Sequence, residues 1–310
     1  MRAGYMFKIL SLDGGGIRAV FQARLIQRIE EARGGMIKPD MYAGTSGGAI
    51  VAASHQLVPA NKIIDFFEVD GPKIFKRESF LQEIDDLFNM VRSRYETAPI
   101  KKALTEVFGD KLLSSLARPT LITSFALKST AGYWQPTVFH NFKTAKPMED
   151  LSVVDALLRS TAAPTYFPVY QDHCDGGVWG NNPAMSALAA ACDPFVGGQS
   201  SGKVTILSLG TGRPPSELLG SKRALGAADW FRRGIIDILK DGNVEASHYY
   251  VKSLLGPNYH RIQFTLDPDI RLDDVRGIPD MIDFANMIDI DPVLAWMEGF
   301  WDDKSPSKKL

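Results

Sequence analysis

Two glycine-framed turns near the start constrain this chain most, because each follows a strand-like run and opens a helical one. Phe7-Lys8-Ile9-Leu10-Ser11-Leu12 has the short apolar pattern of a strand and runs into Asp13-Gly14-Gly15-Gly16-Ile17-Arg18. An amphipathic helix pattern follows from Phe21 to Ile29. The same grammar returns at once, with Met41-Tyr42-Ala43 as strand, Gly44-Thr45-Ser46-Gly47-Gly48 as turn, and Ala49-Ile50-Val51-Ala52-Ala53 as small-residue helix. Strand, glycine turn and helix, written twice, predict an α/β fold.

The second turn is a G-x-S-x-G. Gly44, Gly47 and Gly48 around Ser46 permit a sharp strand-to-helix turn that lifts the hydroxyl clear of the backbone, where it can attack a carbonyl. The helix beginning beside it aims backbone N–H groups at a developing anion. Gly14, Gly15 and Gly16 let further amides approach a substrate oxygen, as an oxyanion hole requires, and Arg18 adds a charge that can orient a phosphate.

Gly14-x-Gly16-x-x-Ala19 also fits the dinucleotide fingerprint. That reading calls for an acid at the far end of the second strand, whereas Asp40 precedes it. As base for Ser46, a triad in hydrolase order would use Asp175 with His248 or His260. Only one strand, one helix and a second strand fit before Ser46, too few for that topology. The alternative is a Ser-Asp dyad, in which a carboxylate takes the hydroxyl proton directly. Asp175 opens Asp175-Gly176-Gly177 after the strand-like Val169-Tyr170-Gln171, and Cys174, Val178 and Trp179 beside it can bury it and raise its pKa. His173, two residues earlier, either tunes that base or satisfies an ordinary hydrogen bond.

These three motifs, in this order and spacing, resemble the patatin-like phospholipases. Ser160-Thr161-Ala162-Ala163-Pro164-Thr165-Tyr166-Phe167, Asn181-Asn182-Pro183 and Leu207-Ser208-Leu209-Gly210-Thr211-Gly212 extend the likeness. It departs at Ala19, where the family usually has glycine, and keeps Gly47 where alanine or glycine is common. The resemblance implies a three-layer α/β/α fold with a mostly parallel central sheet and additional C-terminal helices. It implies Ser46 as nucleophile, Asp175 as base, Gly14, Gly15 and Gly16 as oxyanion hole, with Arg18, Gly44, Gly47, Gly48, Gly176 and Gly177 in support. The implied reaction is hydrolysis of phospholipid acyl esters through an acyl-enzyme. It needs no metal and no cofactor, and the scattered histidines have no metal-ligand spacing. Some bacterial chains of this kind are antiviral effectors switched on by cyclic nucleotides, so a cyclic nucleotide activator enters the expectations. The rivals are a lipid-binding or signalling module with a silent serine, and a dinucleotide-binding protein.

Residues 1–310 are expected to form a single patatin-like domain, with the motifs in about 8–213 and a mainly helical part in 214–310. Hydrophobic residues make up 45% of the chain, enough for a large core. The net charge of −1 gives no general basic surface for nucleic acid. Cys174 and Cys192 cannot build a disulfide framework, and no apolar run approaches the roughly 20 residues that span a bilayer. A cytoplasmic protein, peripheral to the membrane when active, is the expectation, and an oligomer is compatible with it.

Elsewhere, Pro59–Phe108 reads as amphipathic helix, with phenylalanines that serve either the core or a lid. Pro119–Leu127 and Tyr133–Phe139 read as strands joined at Ser129–Gly132, Pro183–Cys192 as helix, and Lys203–Leu209 as a buried strand. Residues 226–255 read as helix. There, Trp230, Phe231, Ile235, Ile236, Ile238 and Leu239 lie beside Arg232, Arg233 and Lys240, either as a packed surface or as the border of a lipid-headgroup or regulatory site.

Overall fold

A computed structural model describes residues 5–76, 93–143, 150–213, 235–267 and 269–302. Phe80, Leu81, Ile84, Leu87, Phe88 and Val91, together with Trp230, Phe231, Arg232 and Arg233, lie outside the described residues, as do the side chains of Ile235 and Ile236.

The strands are β1 (Phe7–Leu12), β2 (Met41–Thr45), β3 (Thr120–Ala126), β4 (Gln135–His140), β5 (His173–Asp175), β6 (Val204–Leu209) and β7 (Tyr259–Ile262). They form one seven-stranded sheet in the order β4-β3-β2-β1-β6-β7, with β5 on β3. The pairs β1–β2, β2–β3, β1–β6 and β6–β7 are parallel, whereas β4 and β5 run antiparallel to β3. The sheet is therefore mixed, with its parallel part at the centre as expected.

The main helices are α1 (Val20–Arg33), α2 (Gly47–Ser54), α3 (Ala60–Asp65), α4 (Thr97–Phe108), α5 (Val153–Thr161), α6 (Ala184–Cys192), α7 (Ile235–Leu255), α8 (Ile278–Met287) and α9 (Asp291–Phe300). Side chains alternate across a strand, so neighbouring residues enter different cores. Leu10, Leu12, Tyr42, Ile122, Leu207 and Leu209 join a core with α1, α2, α4, α5, α8 and α9. Ile9, Met41, Ala43, Leu121, Val204 and Ile206 face the opposite core with α6 and α7. Helix, sheet and helix make the three layers.

One strand is displaced from its expected place. Gln171 and Asp172 have φ of 47° and 60°, which makes residues 170–173 a tight turn with Tyr170 bridged to His173. The strand begins only at His173, and its last residue is Asp175.

The chain builds β1 through β4 outward on one side of β1, then returns to place β6 on the other. That reversal at the carboxyl end of β1 is the kind of crevice where α/β sheets hold ligands. The Asp13–Arg18 turn lies there, beside Ser46 at the end of β2.

Candidate active site

Ser46 leaves β2 with φ 52° and ψ −125°, a left-handed conformation that a non-glycine residue holds only under constraint. Two bonds fix it. Its N–H donates to the buried Ser160 Oγ at 2.9 Å, and its C=O accepts from the Ala49 N–H at 2.9 Å to start α2. The turn works because its glycines have no side chains. A Cβ on Gly44 would run into Ala49, one on Gly48 into the Asp13 carbonyl, and one on Gly47 would lie 2.5 Å from the Gly16 carbonyl oxygen. The two glycine turns are thus packed face to face.

Asp175 is 5% exposed, and Ser46 lines the same cavity, near enough for its hydroxyl to favour the ionised carboxylate. The Gly177 N–H donates to Oδ1 at 2.6 Å. Burial pushes the carboxyl up to about 6, against the pull of the Ser46 hydroxyl, the Gly177 bond and the Lys240 charge. The Asp175 N–H is tied to the Ala162 carbonyl at 2.9 Å, so the end of α5 holds β5 in place. A Cβ on Gly176 would strike Thr123 of β3.

The first turn is clamped from several sides. The Asp13 N–H donates to the Leu209 carbonyl at 3.0 Å, and Gln22 Nε2 donates to the Asp13 carbonyl at 3.0 Å. Thr211 Oγ1 and Asn181 Nδ2 donate to the Gly14 carbonyl at 2.9 and 3.2 Å. The Asp13 carboxylate is gripped by Arg261 of β7, at 2.6 and 3.1 Å, and the same guanidinium donates to Ser208 Oγ of β6 at 2.7 Å. Both side chains are buried, and burial raises the Asp13 carboxyl against the opposing pull of Arg261.

A cavity of about 450 Å³ opens over Ser46 and Asp175. Gly15, Gly16, Gly47 and Gly177 line it near the serine, and its far wall is apolar, with Ile50, Phe66, Phe67, Ile74, Ile100 and Phe167 prominent. Phe66 and Phe67 come from a π-helical turn, Phe66–Asp70, that continues α3. Beside the glycine turn lies a polar recess of about 30 Å³ that shares Asn181 and Lys240 with the cavity.

One expectation is corrected by this geometry, the amide of Gly14 as part of an oxyanion hole. The Gly14 N–H donates to the Asn181 carbonyl at 2.9 Å, so that amide is spent, and Gly14 borders the recess rather than the cavity. Arg18 also borders the recess and is buried there. No histidine is among the described cavity residues. His248 Nδ1 meets the Tyr259 hydroxyl at 3.2 Å, and His260 packs on Trp296. His173 holds the Gln171 carbonyl at 2.6 Å through Nδ1. Asn181, Thr211 and Leu272 pack against Gly14, Gly15 and Gly16, so that an added Cβ at any of the three would collide with them. Ala19 is accommodated, fully buried in the single 3-10 turn that leads into α1. Among the described residues no group of His, Cys, Asp and Glu is placed to hold a metal ion.

Comparison with known proteins decides the family, since the model for "Patatin-like phospholipase" matches residues 10–188. The chain belongs to the patatin-like phospholipase family. It is therefore a lipid acyl hydrolase. Patatin-like protein 2 of Arabidopsis thaliana is 28% identical, over 84% of this chain and 76% of that protein. A cGAMP-activated phospholipase of Pseudomonas aeruginosa is 26% identical, over 85% of this chain and 80% of that one. Among solved structures, VipD from Legionella pneumophila aligns over 92% of this chain and 68% of that one, at 10% identity and a TM-score of 0.38. The patatin-like match ends inside α6, so Lys240, Arg261 and Leu272 come from sequence beyond it.

Arg261 and Ser160 had no role assigned from sequence. Arg261 carries a readable signal, because a charge inside the short strand Tyr259–Ile262 must find a buried partner. Ser160 carries none, since its bond to Ser46 joins residues 114 positions apart.

Proposed function

We propose that Ser46 is the nucleophile and Asp175 the general base in hydrolysis of glycerophospholipid acyl esters. The observation that carries this reading is that Ser46, on its strained elbow, and the buried Asp175 carboxylate share the head of one apolar cavity. Asp175 takes the Ser46 proton as Oγ bonds to the ester carbonyl carbon. The resulting oxyanion is met by the amides of Gly15, Gly16 and Gly47. Collapse breaks the bond to the leaving alcohol, which receives the proton from Asp175. Asp175 then takes a proton from water as its oxygen attacks the acyl carbon, and collapse breaks the bond to Ser46 Oγ, which takes that proton back from Asp175 as the fatty acid leaves. With a carboxyl near 6, Asp175 is ionised at neutral pH yet basic enough to accept a proton.

The acyl chain is assigned to the apolar cavity. Val178 and Leu239 line the cavity and are 48% and 67% exposed, which supports a rim that rests on the lipid surface while the chain enters. No described helix is long and apolar enough to cross a membrane, and peripheral contact suffices for this access. Residues 1–310 are read as one functional unit, since the lining runs from Gly15 to Leu272. The likeness to a cGAMP-activated phospholipase supports a cyclic dinucleotide as activator and a role in antiviral defence.

The test is mass spectrometry of mixed phospholipid liposomes with wild type and Ser46→Ala, each with and without a panel of cyclic dinucleotides. Fatty acid released by wild type and reduced at least about 10³-fold in Ser46→Ala is expected. Stimulation by one nucleotide would identify the activator. Equal release by both proteins, or none under any condition, would overturn the reading.

A further inference from the structure

Leu272 forms part of the cavity wall and holds the first glycine turn in place. Its carbonyl accepts from the Ile17 N–H at 3.0 Å, and a Cβ on Gly16 would collide with that carbonyl. The position of Leu272 therefore constrains where the neighbouring Gly16 amide points. Leu272 itself lies in a turn closed by the Asp274 N–H on the Arg271 carbonyl at 3.1 Å and by the Val275 N–H on the Asp273 carbonyl at 3.0 Å. The Asp273 carboxylate, 8% exposed, anchors that turn. It accepts from the Tyr95 hydroxyl at 2.9 Å and pairs with Arg94 at 3.5 Å and Arg271 at 3.4 Å.

Tyr95 and Arg94 in turn brace another part of the cavity wall. The Tyr95 ring meets Phe75 and Phe167, both cavity residues, at centroid distances of 5.2 and 5.7 Å. The Tyr95 N–H donates to the Tyr166 carbonyl at 2.8 Å, and the Arg94 N–H to the Thr165 carbonyl at 3.1 Å. Thr165 lines the cavity with φ 72°, a left-handed backbone that a β-branched residue holds only where its surroundings impose it. One carboxylate thus ties this wall to the turn beside the nucleophile. Charge-assisted contacts hold such a junction more firmly than neutral ones. Firmness matters there, because a displacement of about 1 Å at a reacting centre can cost about 100-fold in rate.

We propose that Asp273 is a positioning residue, which through Leu272 holds the Gly16 amide where the oxyanion forms. This rests on Ser46 being the nucleophile and on Gly16 serving the oxyanion in the proposed reaction.

The full chain, as wild type, Asp273→Asn and Tyr95→Phe, is assayed on dioleoylphosphatidylcholine in detergent micelles and titrated with a long-chain trifluoromethyl ketone and with the matching alcohol. Ser46 Oγ adds to the ketone carbon, its proton passes to Asp175, and the ketone oxygen becomes the anion that Gly16 meets. The alcohol fills the cavity without that step. In Asp273→Asn kcat falls about tenfold or more with KM within about twofold, and the ketone weakens by the same factor while the alcohol does not. Tyr95→Phe, which removes one hydroxyl, moves kcat and the ketone by about threefold and decides the matter if Asp273→Asn does not fold. Ketone and alcohol weakened equally, a rise in KM with kcat kept, or no change at all would show that the cluster only braces the wall and would overturn the proposal. Wild type that binds the ketone no more tightly than the alcohol would instead refute the nucleophile assignment beneath it.

Discussion

Ser46 and Asp175 reach the same edge of β3 from separate strands. Thr45, the last residue of β2, pairs with Thr123, and Asp175 pairs with Ser124, the next residue along. Since β4 occupies the other edge of β3, β5 takes over where β2 turns away into the Ser46 elbow. Strand register thus brings together a hydroxyl and a carboxylate that lie 129 positions apart. Local bonds complete the join, with Thr45 Oγ1 donating to the Gly180 carbonyl at 2.7 Å and Trp179 Nε1 to the Ser124 carbonyl at 2.7 Å.

Activity should rise with pH through about 6. Asp175 acts as a base only when ionised, and burial raises its carboxyl from the usual 3.8 to about 6. A profile of kcat/KM on a neutral substrate should therefore show an acid limb centred near 6. A limb near 4 would mean that the carboxyl is not desolvated when the enzyme works.

Removing that charge should stabilise the fold. The native state holds the Asp175 proton more tightly than the unfolded chain does, so this stabilisation is complete below about 3.8 and lost as pH rises through about 6. At pH 7.5 the buried carboxylate costs at most about 3 kcal/mol. Asp175→Asn should lose hydrolysis and gain about 1–3 kcal/mol at pH 7.5 in urea unfolding, with the gain shrinking at pH 4.5. A lower stability at pH 7.5 would contradict this assignment of strain.

Gly47→Ala should damage both turns, although alanine is common after the nucleophile in the family. Its Cβ would sit 2.5 Å from the Gly16 carbonyl oxygen and 3.0 Å from Ala19 Cβ, so the loop bearing Gly15 and Gly16 must move. A loss of about 1–3 kcal/mol and of most activity is expected. Gly35→Ala is the control, because a Cβ there meets nothing within 4 Å. Equal thermal unfolding of the two variants would show that the glycine turns tolerate displacement.

The elements that surround Ser46 were legible because strand, glycine turn and helix are local patterns. β1, β2 and β6 begin within one residue of where the apolar runs do. Asp175 was legible from its glycines, while the strand leading to it was displaced: the apolar Val169-Tyr170 run ends in a turn whose positive φ angles belong to Gln171 and Asp172. The Gly14 amide could not be read correctly, because its partner Asn181 arrives from 167 positions away. The cavity was also hidden, since Phe66, Ile100, Phe167 and Leu239 share a wall without sharing any sequence period.

Arg261 should matter to the active site without touching it. Its guanidinium clamps the Asp13 carboxylate at 2.6 Å across β6, and Asp13 begins the turn that carries Gly15 and Gly16. Replacing one partner of a buried pair leaves an uncompensated charge, at a cost of about 3–5 kcal/mol. Arg261→Met should therefore lower stability by about that much at pH 7 and lower kcat. Burial already raises the Asp13 carboxyl even with Arg261 present, and without it the carboxyl rises further. A carboxyl raised in the folded state favours folding at low pH, so the deficit should narrow as pH falls toward 5. Adding Asp13→Asn removes the stranded charge and should return part of the loss, a coupling that a double-mutant cycle measures directly. A deficit independent of pH, together with simple additivity of the two changes, would mean that the pair does not hold the turn.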